Sequence, residues 1–416
     1  MSSKKKTLWT RNYTLLIMAT VSGSVGGIAG GFALSFLVFD ETGSTLAAAL
    51  LLALEMIPMF VIPLVASPIM DRLPRKPFLV GGDAVNGLLY LLAGVYLLKF
   101  DFTYIGYLVF SLILTSLSTF DRLAYNSIYP KLIEEGFEDK GYTVSGMLYP
   151  VLNVIMAPVA AWLYERIGVS FILIMQGGLS LLAALIESFI RIKESTSIPE
   201  EGFLFGTWLS DIKEAAMYLK KEKGLQGIYG YMAVSNGIGN GYYPILTAFF
   251  RTAPGFSIAM YSYFSAAEFI GRSLGGLLRY FSKIPRKSRF AFAASVYVIY
   301  ETMDAILLWL PYPLMLINRA LCGFLGINSA TLRETALRTY IPDNLRSRLY
   351  AFEEMLVSAS VLVFSLIIGF MGEIMPYNLC MTACGAMAFI GCVVFIILKK
   401  RHIAPIYNLE TPSDKK

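Results

Sequence analysis

The sequence is poor in the side chains that soluble proteins use for catalysis and for display to water. Of its 416 residues only 15% are charged, against about a quarter in soluble domains. There is one histidine, His402, in a basic C-terminal stretch, which excludes a His-centred active site, haem ligation and a His-ligated metal. The four cysteines, Cys322, Cys380, Cys384 and Cys392, lie inside apolar stretches without metal-ligand spacing and read as small hydrophobes. No Gly-x-x-x-x-Gly-Lys-Ser/Thr loop occurs, which disfavours an ATP-driven pump. With no histidine base and no paired catalytic motif, neither enzyme activity nor a cofactor or metal is expected. What remains is apolar: 56% hydrophobic residues, 28 Phe and 25 Tyr, with a mean hydropathy of +0.61. The net charge of +6 is spread in short clusters between apolar runs. That distribution fixes orientation in a membrane and does not form a nucleic-acid patch.

A helix crosses a hydrocarbon core of about 30 Å with about 20 residues, and on that ruler about twelve spans are predicted. The first six lie near residues 13–39, 45–70, 78–98, 104–123, 142–164 and 169–190. The second six lie near residues 225–250, 257–281, 290–310, 313–332, 349–372 and 377–398. Lys4, Lys5, Lys6 and Arg11 lead directly into a span too long for a signal-peptide core. With the N-terminus in the cytoplasm, only Lys99, Arg166 and Arg251 fall outside. Arg122, Arg272 and Arg319 fall within spans, and the rest of the 35 Lys and Arg lie inside. The positive-inside bias therefore predicts a multi-pass protein of a bacterial cytoplasmic membrane with both termini cytoplasmic.

The chain repeats itself. Pro74-Arg75-Lys76 after span 2 and Pro285-Arg286-Lys287 after span 8 are 211 positions apart, and Tyr129-Pro130 and Ile341-Pro342 are 212 apart. Two loops with almost the same offset predict a duplicated six-helix unit. The predicted organisation is an N-terminal bundle over 1–190, a cytoplasmic linker over 191–224, and a C-terminal bundle with a basic tail over 225–416. In the linker, Trp208, Leu209, Ile212, Ala215, Ala216 and Leu219 alternate with Asp211, Lys213, Glu214, Lys220 and Lys221. This is the pattern of an amphipathic helix, either on the membrane surface or packed on loops.

Ser67-Pro68-Ile69-Met70-Asp71-Arg72-Leu73-Pro74-Arg75-Lys76 resembles the loop signature of the major facilitator superfamily, Gly-x-x-x-Asp-Arg-x-Gly-Arg-Arg/Lys. The Asp-Arg-x-x-Arg-Lys core is kept and both glycines are replaced. Asp40-Glu41-Thr42-Gly43-Ser44, Pro58, Asp83, Asp211-Ile212-Lys213-Glu214-Ala215 and Ile341-Pro342-Asp343-Asn344-Leu345-Arg346-Ser347-Arg348 resemble the branch containing macrolide-efflux proteins and the enterobactin exporter. The resemblance implies an all-α fold of twelve transmembrane helices in two pseudo-symmetric bundles, working by alternating access. It also implies a cytoplasmic gate of Asp71, Arg72, Arg75, Asp83, Asp121 and Arg122. Ala157-Pro158-Val159-Ala160-Ala161-Trp162 keeps the Pro of the antiporter stretch on helix 5 and loses its glycines.

Ionisable groups inside a span cost about 2.5–3.5 kcal/mol each by insertion scales, so they mark a cavity or pair with one another. Glu55 in span 2 and Glu268 in span 8 lie near the bilayer middle, at nearly symmetric positions, and are the proton-coupling candidates. Arg272 stands one turn after Glu268; if that pair forms, Glu268 becomes structural and Glu55 carries the proton. Glu301 and Asp304 share a face of span 9 and Arg319 lies at a comparable depth on span 10. Their cluster is either a substrate counter-ion or a packing ion pair. Asn236, Asn240 and Tyr243, on a Gly-interrupted stretch of span 7, complete the substrate-cavity candidates.

The reading is a monomeric secondary transporter whose partners are membrane lipids, protons and an amphipathic small molecule such as a drug, macrolide or siderophore, moved outward by proton-coupled antiport. The alternatives are an importer or lipid carrier of the same fold, and a membrane sensor without transport.

Overall fold

The computed structural model describes residues 7–72, 74–134, 137–192, 213–214, 216–281 and 284–408. Among these there are helices and turns and no strand. The first half forms α1 (Arg11–Thr42), α2 (Thr45–Arg72), α3 (Lys76–Lys99), α4 (Tyr104–Leu132) and α5 (Glu138–Ser188). The second half begins with α6 (Lys223–Gly241), α7 (Tyr243–Thr252), α8 (Ile258–Phe281) and α9 (Arg289–Ile306). It ends with α10 (Tyr312–Tyr340), α11 (Asp343–Ile374), α12 (Tyr377–Cys392) and the short α13 (Lys400–Tyr407).

Local chemistry sets the joints. Thr10 caps α1 by accepting from the Tyr13 amide at 3.3 Å. Gly43, at φ 65°, closes the same helix in the left-handed conformation that glycine adopts without steric cost. Gly168, at φ 77° and ψ 172°, divides α5 into two arms, as the two expected spans 142–164 and 169–190 require. Span 7 is likewise broken: α6 stops at Gly241, and α7 restarts at Tyr243 with Pro244 in its first turn, where a missing N–H costs nothing.

By compactness the chain forms two units. The first holds Met1–Gly43 and Ile57–Gly202, the second Ser44–Met56 and Phe203–Lys416. In the first, α1 packs on α5, and α3 packs on α4 and α5. Small residues bring the backbones together. A methyl group on Gly177 would stand 2.7 Å from the Gly87 carbonyl oxygen, and one on Gly30 would collide with Gln176. In the second, α6 pairs with α11, α8 with α10 and α9 with α12. Gly385 lies so close to α9 that a methyl would meet Ala305 at 2.5 Å.

The first turns of α2 belong to the second unit. Ser44 Oγ and the Leu46 amide donate to Glu373 of α11 at 2.8 and 3.0 Å, and Thr45 Oγ1 donates to the Gly369 carbonyl at 2.9 Å. Leu219 of the linker is buried in a core with Ile228, Tyr229, Leu337 and Leu349. Glu214 pairs with Arg348, and Glu222 accepts from Tyr340 at 2.8 Å. The residues of the expected amphipathic helix before Lys213, and Ala215, lie outside the described residues. The expected basic tail folds back as α13, burying Ile403, Ile406 and Tyr407 against the same core.

Large apolar side chains face outward along the helices, among them Leu92, Ile105, Leu277 and Leu398. An outer surface of this kind belongs in hydrocarbon. Among the described residues, seven helices are long and apolar enough to cross a membrane by length and composition.

Candidate functional site

The charged site lies in the second unit and is built by backbone approach. A methyl on Gly271 of α8 would sit 1.9 Å from the Ala320 carbonyl oxygen, and one on Gly323 of α10 would sit 2.2 Å from that of Glu268. Without side chains at these crossings the two helices touch, which sets Glu268 beside Arg319. The Arg319 Nη2 to Glu268 Oε2 distance is 2.7 Å, and its Nη1 lies 3.4 Å from Asp304 Oδ1 on α9. Arg319 Nη1 also donates to the Tyr242 hydroxyl at 3.1 Å, and that hydroxyl donates to Asp304 Oδ2 at 3.2 Å. Tyr242 stands at the α6–α7 break, so the interruption of span 7 delivers a hydroxyl to the ion cluster. The guanidinium lies 5.4 Å from the Phe264 ring centroid, within cation–π range. The Arg319 side chain is only 3% exposed, so its charge is compensated by protein groups.

Arg272 joins from the other side. Its Nη2 and Nε reach Glu268 Oε1 at 2.8 and 3.0 Å, while its side chain stays 49% exposed. Two carboxylates and two guanidiniums thus interlock, and both Glu268 oxygens are occupied. The Glu268–Arg272 pair that the spacing allowed is formed.

Glu301 corrects the expected Glu301/Asp304–Arg319 cluster. It is buried, and its Oε1 accepts from Tyr231 at 2.8 Å and from Ser235 at 2.9 Å, both on α6. Its place three residues before Asp304 carries it about 4.5 Å along α9, where hydroxyls rather than Arg319 meet it.

Beside this network opens a cavity of about 360 Å³. Asn236, Asn240, Tyr243 and Arg319 line it, as do Glu268, Arg272, Tyr231, Tyr297, Tyr300 and Arg333. Asp304 and Glu301 stand behind its wall, each bonded to residues that line it. The Asn236 and Asn240 side-chain amides donate to the Met232 and Asn236 carbonyls, both at 2.8 Å. The expected span 10, 313–332, leaves Arg333 in the loop that follows it. Helix α10 continues to Tyr340, which brings Arg333 into the cavity wall. Its position fourteen residues after Arg319 on one helix was the available signal, since that spacing repeats a face.

Glu55 is half-buried in α2 and is not among the residues lining this cavity. In the first unit, Asp83 of α3, Asp121 of α4 and Glu187 of α5 act electrostatically on one another. The Asp121 side chain lies 3.2 Å from where a methyl on Gly82 would be. Lys76 donates to the Ser188 carbonyl at 2.7 Å. Arg75 is half-buried and Arg122 is exposed. The side chains of Asp71 and Arg72 lie outside the described residues. Helix α5 ends at Ser188, and the Arg191 amide donates to Asn12 Oδ1 at 3.1 Å.

A bundle of apolar helices enclosing a charged cavity is the architecture of a membrane carrier. The profile of the Major Facilitator Superfamily matches residues 15–301, and the chain belongs to that superfamily as a multi-pass membrane transporter. An uncharacterized MFS-type transporter of Bacillus subtilis (strain 168), YkuC, is 24% identical over 256 residues; the match covers 58% of this chain and 56% of that protein. The nucleoside transporter NupG has a similar fold, with a TM-score of 0.69 at 12% identity over 93% of this chain and 99% of its own. A bacterial homologue of the human lysosomal transporter Spinster reaches 0.62 at 14% identity over 97% of both chains. A POT family peptide transporter reaches 0.61 at 12% identity over 93% of this chain and 97% of its own.

Proposed function

We infer that the protein is a secondary active transporter working by alternating access, and that the cavity of its C-terminal unit is where cargo binds. The observation that carries this reading is the interlocked Glu268–Arg319–Asp304–Arg272 network beside a cavity among apolar helices. Charges in hydrocarbon are retained where they pair or meet a solvated path, and here they do both. The Asp40–Ser44 and Ile341–Arg348 segments favour export, because they resemble the efflux branch. Proton entry at Glu55 drives it, since both Glu268 oxygens are engaged by arginines. Placement in a bacterial cytoplasmic membrane, with both termini inside, follows from the charge asymmetry of the loops.

The experiment is reconstitution into liposomes carrying an internal pH dye, with drugs and siderophores added in turn. Substrate-dependent proton movement is expected from the intact protein. The Glu55→Gln variant is expected to insert normally and to lose coupled transport. Transport with no proton movement removes the coupling and leaves the carrier. Kinetics in Glu55→Gln that keep the wild-type pH dependence remove Glu55 from it.

A further inference from the structure

We propose that the cavity of the C-terminal unit selects a small organic anion, its carboxylate or phosphate group attracted by the cationic wall side chains Arg272 and Arg333. The inference rests on the transport reading above and names the chemical class of the cargo. It comes from asking which polar groups on the wall are already satisfied.

The acids are. Glu268 gives one oxygen to Arg319 and the other to Arg272. Asp304 accepts from Tyr242 and Arg319, and Glu301 accepts from Tyr231 and Ser235. A cationic ligand entering this cavity would have to displace internal donors to reach any of these three carboxylates.

The donors are not. Arg333 lines the cavity, and its Nε is buried without a hydrogen-bond acceptor. A guanidinium N–H left unmade in a buried place is costly. Glu353 of α11 and Glu334 lie within electrostatic range of Arg333. Among the described residues, neither forms an ion pair with it, and the buried Glu353 Oε2 has no hydrogen-bond partner either. Arg333 hydrogen-bonds the Tyr297 hydroxyl, which is also shared with Tyr407 at 2.8 Å. Arg272 spends two of its nitrogens on a single Glu268 oxygen and keeps about half its side chain exposed. The residues lining the cavity include three arginines and one glutamate. Planar guanidiniums match carboxylate and phosphate oxygens in pairs. Tyr231, Tyr243 and Tyr300 supply aromatic walls, and the volume of about 360 Å³ lies at the small end of ligand pockets. The chemistry fits a compact anion carrying a ring or a short chain.

The test keeps the ring constant and varies the charge. The full chain in phosphatidylcholine nanodiscs is melted with indole-3-acetate, the neutral tryptophol or the cationic tryptamine, at equal ionic strength. Indole-3-acetate is expected to raise the melting temperature and to bind about tenfold more tightly than tryptophol, the value of one charge-assisted hydrogen bond. Tryptamine is expected to do nothing. Arg333→Gln is expected to lose that tenfold and Arg333→Lys to keep part of it. Arg272→Gln, at a more exposed site, serves if Arg333→Gln does not fold. A further arm with lauroyl lysophosphatidate separates sources. Stabilisation by the lysolipid alone, lost in the Arg333→Gln variant, assigns the anion to a lipid headgroup; stabilisation by indole-3-acetate assigns it to a soluble compound. Equal or tighter binding of tryptamine, or no stabilisation by either anion, overturns the proposal. Anion binding without any movement of that anion across liposomes would leave this site standing and remove the transport reading instead.

Discussion

The two units solve helix packing alike and differ in what their cavities hold. Both draw helices together at glycines, Gly87 and Gly177 in the first, Gly271, Gly323 and Gly385 in the second. The cavity of the first unit, about 650 Å³, is walled by Leu34, Leu92, Tyr96, Tyr107, Phe110 and Leu173. That of the second, about 360 Å³, is walled by tyrosines, asparagines, three arginines and Glu268. The first groove asks nothing of its contents beyond being apolar, and lipid chains meet that demand. The second offers charge and hydrogen bonding as well. On the reading proposed above, a duplicated scaffold keeps its recognition chemistry in the C-terminal copy, while the acids of the N-terminal copy, Asp83, Asp121 and Glu187, act electrostatically on one another.

The sharpest way to break this contrast is Arg319→Leu. Its removal leaves Glu268 and Asp304 buried with a counter-ion missing, a defect worth about 3–5 kcal/mol. The expected outcome is loss of most folded protein in fluorescence-detected size exclusion and a large fall in melting temperature. Arg319→Leu combined with Glu268→Gln and Asp304→Asn is expected to recover part of the loss, because no uncompensated carboxylate then remains. An Arg319→Leu variant of unchanged stability would mean that water, not protein, solvates these acids.

Next in size is the backbone crossing beneath the site. Gly271→Val places side-chain carbon where the Ala320 carbonyl stands, and overpacking of this kind costs about 1–3 kcal/mol. Gly276→Ala, one turn further along the same helix and with open space around it, is expected to be near neutral. The difference between the two melting temperatures reads the crossing directly. Equal shifts would show that α8 and α10 have room to separate.

Composition and loop charge made the membrane class and helical fold legible, because twenty-residue apolar runs have no other stable use. The break in span 7 was legible for a similar reason: Gly239, Gly241 and Pro244 weaken a helix wherever they stand together. The site was legible only as depth along each helix. Arg319 and Asp304 were matched because depth sufficed, whereas the Glu268–Arg319 bond depends on how closely α8 and α10 approach, and that is set by glycines with no charge of their own. Arg333 was hidden for another reason. Apolar length ends a span at residue 332, yet hydrogen bonding carries α10 eight residues further, to Tyr340. Glu301 shows the converse error, since a shared helix face with Asp304 did not supply a shared partner.

A smaller effect separates the hydroxyl-bound acid from the arginine-bound ones. Ser235→Ala removes one of the two donors to Glu301 and leaves Tyr231 in place, at a cost of about 1 kcal/mol. The expected result is a modest drop in melting temperature. A drop as large as that of Arg319→Leu would make Glu301 a full member of the ion network.

The smallest effect is expected in the N-terminal groove, and it tests whether that groove is as unselective as its lining suggests. Leu92 is 58% exposed, so within a bilayer much of its side chain already touches lipid. Trimming it to alanine exchanges contacts with one hydrocarbon for contacts with another, since lipid tails are as apolar as leucine. Leu92→Ala is therefore expected to shift stability by less than about 0.5 kcal/mol in nanodiscs of any acyl-chain length. A loss exceeding that of Ser235→Ala, or one that appears only with particular lipids, would mean that the groove holds a defined chain. The N-terminal copy would then have a recognition role of its own, and the asymmetry between the two units would be one of ligand class rather than of presence and absence.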